Sequence, residues 1–247
     1  HVPGPHWPEI ADFWTYHQIV NQWLKGHSYD IVHSIGCNTL RANVVTIQNI
    51  QPAKRRILEQ FQNEEAVSAP RRLTRWLYLN ATSRAEHQLY TARPGVKPPM
   101  FLPVSRGVEA ELRAWYAIGD APVRIVPNAA DPAVFHPLPD EQRNAWRRAN
   151  GFAVNDVIAV FSGGEWARKG LDLAIQGVAR VPDPAFKLFV AGDDPDHERF
   201  RALARQHGVE GRIVFGGFRI DVAEAMAAGD LFLFPSHYEA SQPATLE

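Results

Sequence analysis

Val157-Ile-Ala-Val-Phe-Ser-Gly-Gly-Glu-Trp-Ala-Arg-Lys-Gly170 decides the fold. The apolar run Val157 to Phe161 has the length and continuity of a strand buried on both faces. Leu171, Ala174, Ile175 and Val178 follow at the spacing of one helix face. A strand, a glycine-containing turn and a helix opening with Arg168 and Lys169 make a site for an anion, because free backbone N–H groups and the positive helix end both favour phosphate. Two cations at one place suit a diphosphate. The turn is not a common nucleotide fingerprint. Gly163, Gly164 and Gly170 lack the G-x-G-x-x-G spacing, and Lys169 precedes Gly170, whereas a P-loop lysine follows the second glycine. Taken alone, the stretch fits a plain strand-to-helix turn with a solvated Arg-Lys pair equally well.

Outward from this stretch the pattern is regular. Residues 186–191, 212–215 and 231–235 read as further strands; 140–149, 168–180, 196–207 and 222–228 read as helices, the last capped by Asp221. Alternation with near-continuous apolar strands predicts a parallel sheet with helices on both faces, whose ligands bind at the carboxyl ends of the strands. Those ends are Ser162–Glu165, Gly192–Asp194, Gly216–Ile220 and Pro235–Glu239.

The preceding half is less regular. Residues 1–8 carry three prolines and are irregular. Ile10, Phe13, Trp14, His17, Val20, Trp23 and Leu24 share a helix face, and Gly26 is a plausible stop. Strands are expected at 29–35 and 43–48. The short segment between them predicts that they are antiparallel or not adjacent, since a parallel crossover usually takes about a dozen residues. Helices follow at 54–61 and 71–90, a strand between prolines at 98–105, a helix at 108–116 and a strand at 123–128. The Pro-rich passage 127–139 divides the chain into domains 1–126 and 127–247. In helix 71–90, Leu73, Trp76, Leu77 and Ala81 adjoin Arg71, Arg72, Arg75 and Arg84. The sharper reading is a face resting on anionic lipid, a peripheral membrane contact; the plainer one, a domain helix with a solvated cationic side, is preferred.

Composition narrows the class. The 247 residues are 45% hydrophobic and 21% charged, which fits a globular chain with a core. No apolar run is long enough to span a membrane, and the first residues are not a signal peptide. The lone Cys37 permits no internal disulfide or thiolate cluster and agrees with a reducing compartment. Net charge is −1, with 26 Lys+Arg against 27 Asp+Glu. Residues 1–125 are on balance basic and the rest acidic, which suggests domains facing different partners. No dense basic stripe with interleaved aromatics is present, so a nucleic-acid partner is not expected.

Several segments together resemble the retaining glycosyltransferases of family 4 (glycosyl transferases group 1), nearest the lipopolysaccharide-core glucosyltransferase type. They are Arg124-Ile-Val-Pro-Asn-Ala-Ala-Asp131, Gly163-Gly-Glu-Trp-Ala-Arg-Lys-Gly170, Val190-Ala-Gly192, Arg212-Ile-Val-Phe-Gly-Gly217, Ala227-Ala-Gly-Asp-Leu-Phe-Leu-Phe-Pro-Ser236 and Tyr238-Glu-Ala-Ser-Gln-Pro-Ala-Thr-Leu-Glu247. The pair Glu239 and Glu247 is the most specific piece. The resemblance is strong from about residue 100 onward. It implies an α/β chain of the GT-B class: two Rossmann-like domains with parallel sheets facing a cleft, acceptor-side first and donor-binding second. Both are expected to be truncated here.

The resemblance further implies that Arg168 and Lys169 hold a donor diphosphate, Glu239 meets the donor sugar and Glu247 the ribose. Gly163 and Gly164 would let the ligand approach, and the loop with Phe218 and Ile220 would hold the base. Carboxylates suit hydroxyl pairs, and cations suit the charge of a departing diphosphate. No metal or other cofactor is then required. The implied partners are a nucleotide sugar and a glycan, lipid-linked or small-molecule acceptor, and the implied location is cytoplasmic, at the inner face of a membrane. Gly164 stands where many relatives carry arginine, and Ser241-Gln-Pro243 includes a residue without an N–H. His33, at the end of a strand, and Gln48 are candidate cleft residues, as is His237; each also reads as an ordinary packed or solvated side chain. Asp194-Pro-Asp196 resembles a metal-binding D-x-D but reads better with Asp196 as a helix N-cap. The competing readings are a non-catalytic nucleotide-sugar-binding module, a sugar-nucleotide epimerase or a phosphorylase.

Overall fold

The structure, a computed structural model, describes residues 9–61 and 69–239. It divides into two compact units, residues 1–128 and 129–247.

The first unit holds α1 (Glu9–Gly26), β1 (His33–Ile35), β2 (Val44–Ile47), α2 (Gln51–Phe61), α3 (Ala69–Tyr90), β3 (Met100–Pro103) and α4 (Arg106–Trp115). Its sheet has the order β1-β2-β3, all parallel. This corrects the expectation that the first two strands are antiparallel or apart: His33 pairs with Val44 and Ile35 with Thr46, side by side and parallel. The strands are so short that the chain need return only about 10 Å, and residues 36–43 do so without a helix. Asn43 fixes this return, accepting the Val32 N–H at 2.8 Å and donating to the Asp30 carbonyl at 3.0 Å. Cys37, Thr39 and Ala42 are buried within it.

The strand expected at 123–128 is an extended segment beside β3. Its Arg124 and Val126 N–H groups reach the Phe101 and Pro103 carbonyls, with a single bridge at Val123. Ser105 caps α4 through its hydroxyl and the Val108 N–H. On α1 the alternation is imperfect: Trp14 and Trp23, placed on the apolar face by periodicity, are exposed.

The second unit holds α5 (Asp140–Ala149), β4 (Val157–Ser162), α6 (Trp166–Lys169), α7 (Leu171–Arg180), β5 (Phe186–Ala191), α8 (His197–Gln206), β6 (Ile213–Gly217), α9 (Val222–Ala228) and β7 (Leu231–Phe232). The sheet order is β6-β5-β4-β7, again parallel throughout. One face is covered by Leu171, Ala174, Ile175 and Val178 of α7 with Phe200 and Ala204 of α8. The other carries Phe152, Ala225 and the half-buried Trp146 and Met226. Side chains alternate between the faces along β4, Ile158 and Val160 to one and Ala159 and Phe161 to the other, which is why the strand reads as continuously apolar.

Arg147 is almost wholly buried and binds α5 to this sheet. It donates to the carbonyls of Ala228, Val154 and Asp156, and it pairs with Asp230 at 2.8 Å. Asp230 also pairs with Arg143 and accepts the Ile158 N–H. Asp221 and Asp196 occupy the N-cap positions of α9 and α8, but neither side chain makes the cap hydrogen bond. Asp221 is taken by Arg219 and Trp146 instead, and the Arg219 hydrogen bond brings its carboxyl down to about 2.

Candidate functional site

Parallel strands end on one edge, so the loops after β4, β5, β6 and β7 meet there. Their backbones touch directly. The Gly163 N–H donates to the Ala191 carbonyl at 2.7 Å, and the Gly192 N–H to the Gly217 carbonyl at 2.7 Å. Lys169 Nζ occupies the place where a Cβ on Gly163 would project, and Gly163 has φ +115. Glycine is therefore favoured here by conformation, and a Cβ would push the Lys169 ammonium aside.

The helix expected over 168–180 is broken at Gly170, which has φ +75 and packs against the Pro235 carbonyl too closely to admit a side chain. Arg168 and Lys169 accordingly end the one-turn α6; they do not open the longer helix. This corrects the simple picture of two cations at a helix N-terminus. The start of α6 is already served: Asp194 Oδ2 accepts the Trp166 N–H at 2.9 Å, and its Oδ1 accepts the Asp196 N–H at 2.9 Å. The Asp-Pro-Asp motif thus serves as a local clamp. Among the described residues no cluster of three or more His, Cys, Asp or Glu is arranged to hold a metal.

The break turns the two cations back toward the strand ends. Lys169 Nζ donates to the Ser162 carbonyl at 3.2 Å and lies 5.2 Å from the centroid of Phe234. Arg168 is the hub. It pairs with Glu239 at 2.7 Å and with Glu165 at 2.8 Å, and it donates to the Tyr238 carbonyl at 3.0 Å. Ser236 Oγ also reaches Glu239, at 3.3 Å. The Arg168 and Glu239 side chains are both 14% exposed, whereas Glu165 is 62% exposed. Burial works against the Arg168 charge, but hydrogen bonds and charge from Glu165 and Glu239 outweigh it and hold the guanidinium above its ordinary range. Glu165 has φ +51, a left-handed conformation in a non-glycine residue at the centre of the turn.

The structure therefore brings Gly163, Gly164, Arg168, Lys169 and Glu239 together at one corner of the edge. Phe218 and Ile220, on the loop after β6, are 83% and 95% exposed. Glu247 and the Ser241-Gln-Pro243 passage lie outside the described residues. The imidazole of His237 faces Asp172 at 4.0 Å, and its backbone N–H donates to the Arg168 carbonyl at 3.0 Å.

In the first unit, His33 begins β1, so the expectation that it ends a strand is corrected: it lies at the amino edge, bonded to Thr46 Oγ1 at 2.8 Å. The strand is shorter than its apolar run because the segment before it is held by Asn43 and lacks strand pairing. Gln48 follows β2 at the opposite, carboxyl edge and accepts from Asn128 at 3.4 Å. These two candidates do not share a site.

Sequence reasoning placed Glu165, Asp194 and Ser236 within the strand-end loops but gave none of them a role at the corner; only Glu165 had a local signal for its contact, the i,i+3 spacing to Arg168.

Residues 142–242 match the family Glycosyl transferases group 1. The matched stretch contains the whole corner just described. The chain is 36% identical over 108 residues to the lipopolysaccharide glucosyltransferase WaaG of Escherichia coli, covering 42% of this chain and 29% of that protein. The WaaG crystal structure superposes with a TM-score of 0.76 at 24% identity, covering 99% of this chain and 64% of that one. Anabaena HepE in complex with UDP-glucose superposes with a TM-score of 0.61 at 17% identity, covering 89% of this chain and 56% of that one. The fold is thus that of the GT-B glycosyltransferases, and the chain spans less than two thirds of the length of each of these relatives.

Proposed function

We propose that the chain is the part of a glycosyltransferase that carries the donor corner. The protein moves a hexose from a nucleoside-diphosphate sugar to an acceptor hydroxyl, with retention of anomeric configuration and without a metal, in the synthesis of a cell-envelope glycan on the cytoplasmic side of a membrane. The single observation that carries this reading is the Arg168–Glu239 pair at 2.7 Å beside the Gly163-Gly164 turn. It sets a cation for the diphosphate against a carboxylate for the sugar hydroxyls. The family match over residues 142–242 and relatives that act as glucosyltransferases support the same assignment.

In the reaction the bond from the anomeric carbon to the diphosphate oxygen breaks, and a bond to the acceptor oxygen forms as that hydroxyl gives up its proton to the departing diphosphate. Charge gathers on the departing diphosphate, where a fixed cation stabilises the transition state more than the bound donor. Lys169 is assigned that task directly. Arg168 is engaged by two carboxylates, so it takes the diphosphate by releasing the exposed Glu165 while keeping Glu239 oriented. Glu239 accepts hydrogen bonds from the sugar, Glu247 from the ribose, and the exposed loop at Phe218 and Ile220 receives the base. Acceptor choice is assigned to the first unit. A peripheral membrane contact would use the exposed Leu73, Trp76 and Leu77 of α3; no helix among the described residues is long and apolar enough to cross a membrane.

The test is a panel of nucleotide sugars offered to the complete gene product in chelator, reading released nucleoside diphosphate and the anomeric configuration of the product. Release from one donor with the configuration kept is expected. Diphosphate binding with no release from any donor, acceptors included, would assign the corner to a non-catalytic module. Release restored only by a divalent cation would overturn metal independence.

A further inference from the structure

Asp172 stands in the first turn of α7, and its Oδ1 is buried with no hydrogen-bond partner among the described residues. An acceptor shielded from water and left without a donor is destabilising, and native structures leave few of them. Facing it is the imidazole of His237, whose Nε2 lies 4.0 Å away. That is beyond hydrogen-bond reach by about 1 Å. His237 is itself partly shielded from solvent, so a hydrogen bond made here would meet less competition from water.

The pair spans two elements of the donor corner. His237 lies two residues before Glu239, on the loop after β7. Arg168 ties this loop to α6 twice: its carbonyl accepts the His237 N–H at 3.0 Å, and its guanidinium donates to the Tyr238 carbonyl at 3.0 Å. The second tie, like the pair with Glu239, uses the guanidinium that a donor diphosphate also engages. A diphosphate that draws on Arg168 therefore loosens the loop at Tyr238 and Glu239, just where the sugar needs Glu239 held. A hydrogen bond from His237 to Asp172 would hold the same loop to α7 without the Arg168 side chain. The gap is small, and the acceptor is already in place.

We propose that Asp172 and His237 form a latch that closes when the donor binds: His237 Nε2–H bonds to Asp172 Oδ1 and fixes Glu239 against the donor sugar. The imidazole faces α7, so His237 is a positioning residue that acts through the loop, and Asp172 is its anchor. The latch rests on the assignment of Glu239 to the sugar of a nucleoside-diphosphate donor.

The experiment is calorimetry of the complete protein in chelator, with UDP, ADP and GDP and their glucose esters as probes. Asp172→Ala and His237→Ala should each weaken the bound glucose ester about tenfold, the loss of one charge-assisted hydrogen bond. The double variant should lose no more than either single one, because both remove the same bond. The free diphosphate, which has no sugar for Glu239, should bind every variant as it binds the wild type. His237→Gln keeps an N–H donor at similar reach and should restore the ester. In urea denaturation of the free protein the two changes should simply add, since the bond is not yet made. If Asp172→Ala unfolds, Asp172→Ser, too short to reach His237, carries the same expectation. Losses that multiply in the double variant, an equal loss of the free diphosphate, no rescue by glutamine, or coupling already present in the free protein would each overturn the latch. Binding of an ester by the wild type would leave the donor assignment standing in all those cases. A wild type that binds none of the probes would overturn that assignment and the latch with it.

Discussion

Glu86→Gln should make the protein more stable at alkaline pH and should erase a pH dependence of the wild type. Glu86 sits near the end of α3, 2% exposed, with Cys37 nearby. Desolvation raises its carboxyl from 4.5 to about 7, against the Tyr116 and Gln51 hydrogen bonds that favour the ionised form. The folded protein therefore holds this proton more tightly than the unfolded chain. The contribution to stability is fully present below about 4.5, and it is lost as pH rises toward and through about 7. A shift of that size corresponds to about 3 kcal/mol between the limits, an upper bound for a carboxyl that keeps two donors. Urea denaturation at a series of pH values should show the wild-type midpoint falling from pH 5 to pH 8 (roughly, the window set by the two pKa values) more steeply than that of Glu86→Gln. The amide keeps an oxygen for Tyr116 and cannot ionise. Parallel curves for the two proteins would refute the reasoning and place Glu86 in contact with solvent. The same burial pushes the Cys37 thiol up to about 12, so the wild type should react with a thiol reagent at pH 8 only as fast as it opens.

Four further outcomes test the second unit. Lys169→Ala should weaken nucleoside diphosphate binding by about tenfold or more, the loss of one charge-assisted contact, read by calorimetry in chelator. Glu239→Gln should lower turnover while largely sparing diphosphate affinity; equal loss of both would make Glu239 structural. Gly163→Ala should weaken the diphosphate as well, because the new Cβ displaces the Lys169 ammonium and strains a backbone at φ +115; unchanged affinity would show that the turn tolerates the methyl. Arg147→Leu should cost about 3 kcal/mol or more in chemical denaturation, since it removes the donor of the buried Ala228 carbonyl and of the part-buried Val154 and Asp156 carbonyls and breaks the ion pair with Asp230.

What the sequence revealed and what it hid follow one physical division. In residues 129–247 β4 and β5 are continuous apolar runs and α7 and α8 carry clear apolar stripes, so β4 and β5 are legible to the residue. The corner was legible in its members, because glycine, cation and carboxylate each follow a strand end. Its wiring was not legible. The break at Gly170 depends on the approach of Pro235 from a distant loop, and only that break aims Arg168 at Glu239. In residues 1–128 local pattern is weaker. The parallel pairing of β1 and β2 follows from very short strands and from the Asn43 side chain, neither of which enters a rule about crossover length. Glu86 gives no local sign of burial either, because only folding brings Tyr116 and the start of α2 onto this α3 carboxylate.

The Arg168 cluster shows why wiring carries more function than membership. With two carboxylates on one guanidinium, the corner holds no surplus positive charge on Arg168 until one partner leaves. Of the two, Glu165 is the exposed one, tethered at i,i+3 on a left-handed backbone, whereas Glu239 is shielded and shared with Ser236. Solvent screening makes the Glu165 pair the weaker, about 0–1 kcal/mol for an exposed ion pair, so on the proposed function a diphosphate would exchange with it at little cost. Glu165→Gln should therefore leave Glu239 in place and tighten nucleoside diphosphate binding, measured by calorimetry at low salt, because one competing negative charge is gone. A weaker complex would mean that Glu165 holds Arg168 in the geometry the ligand needs, and the exchange assigned to it would be wrong.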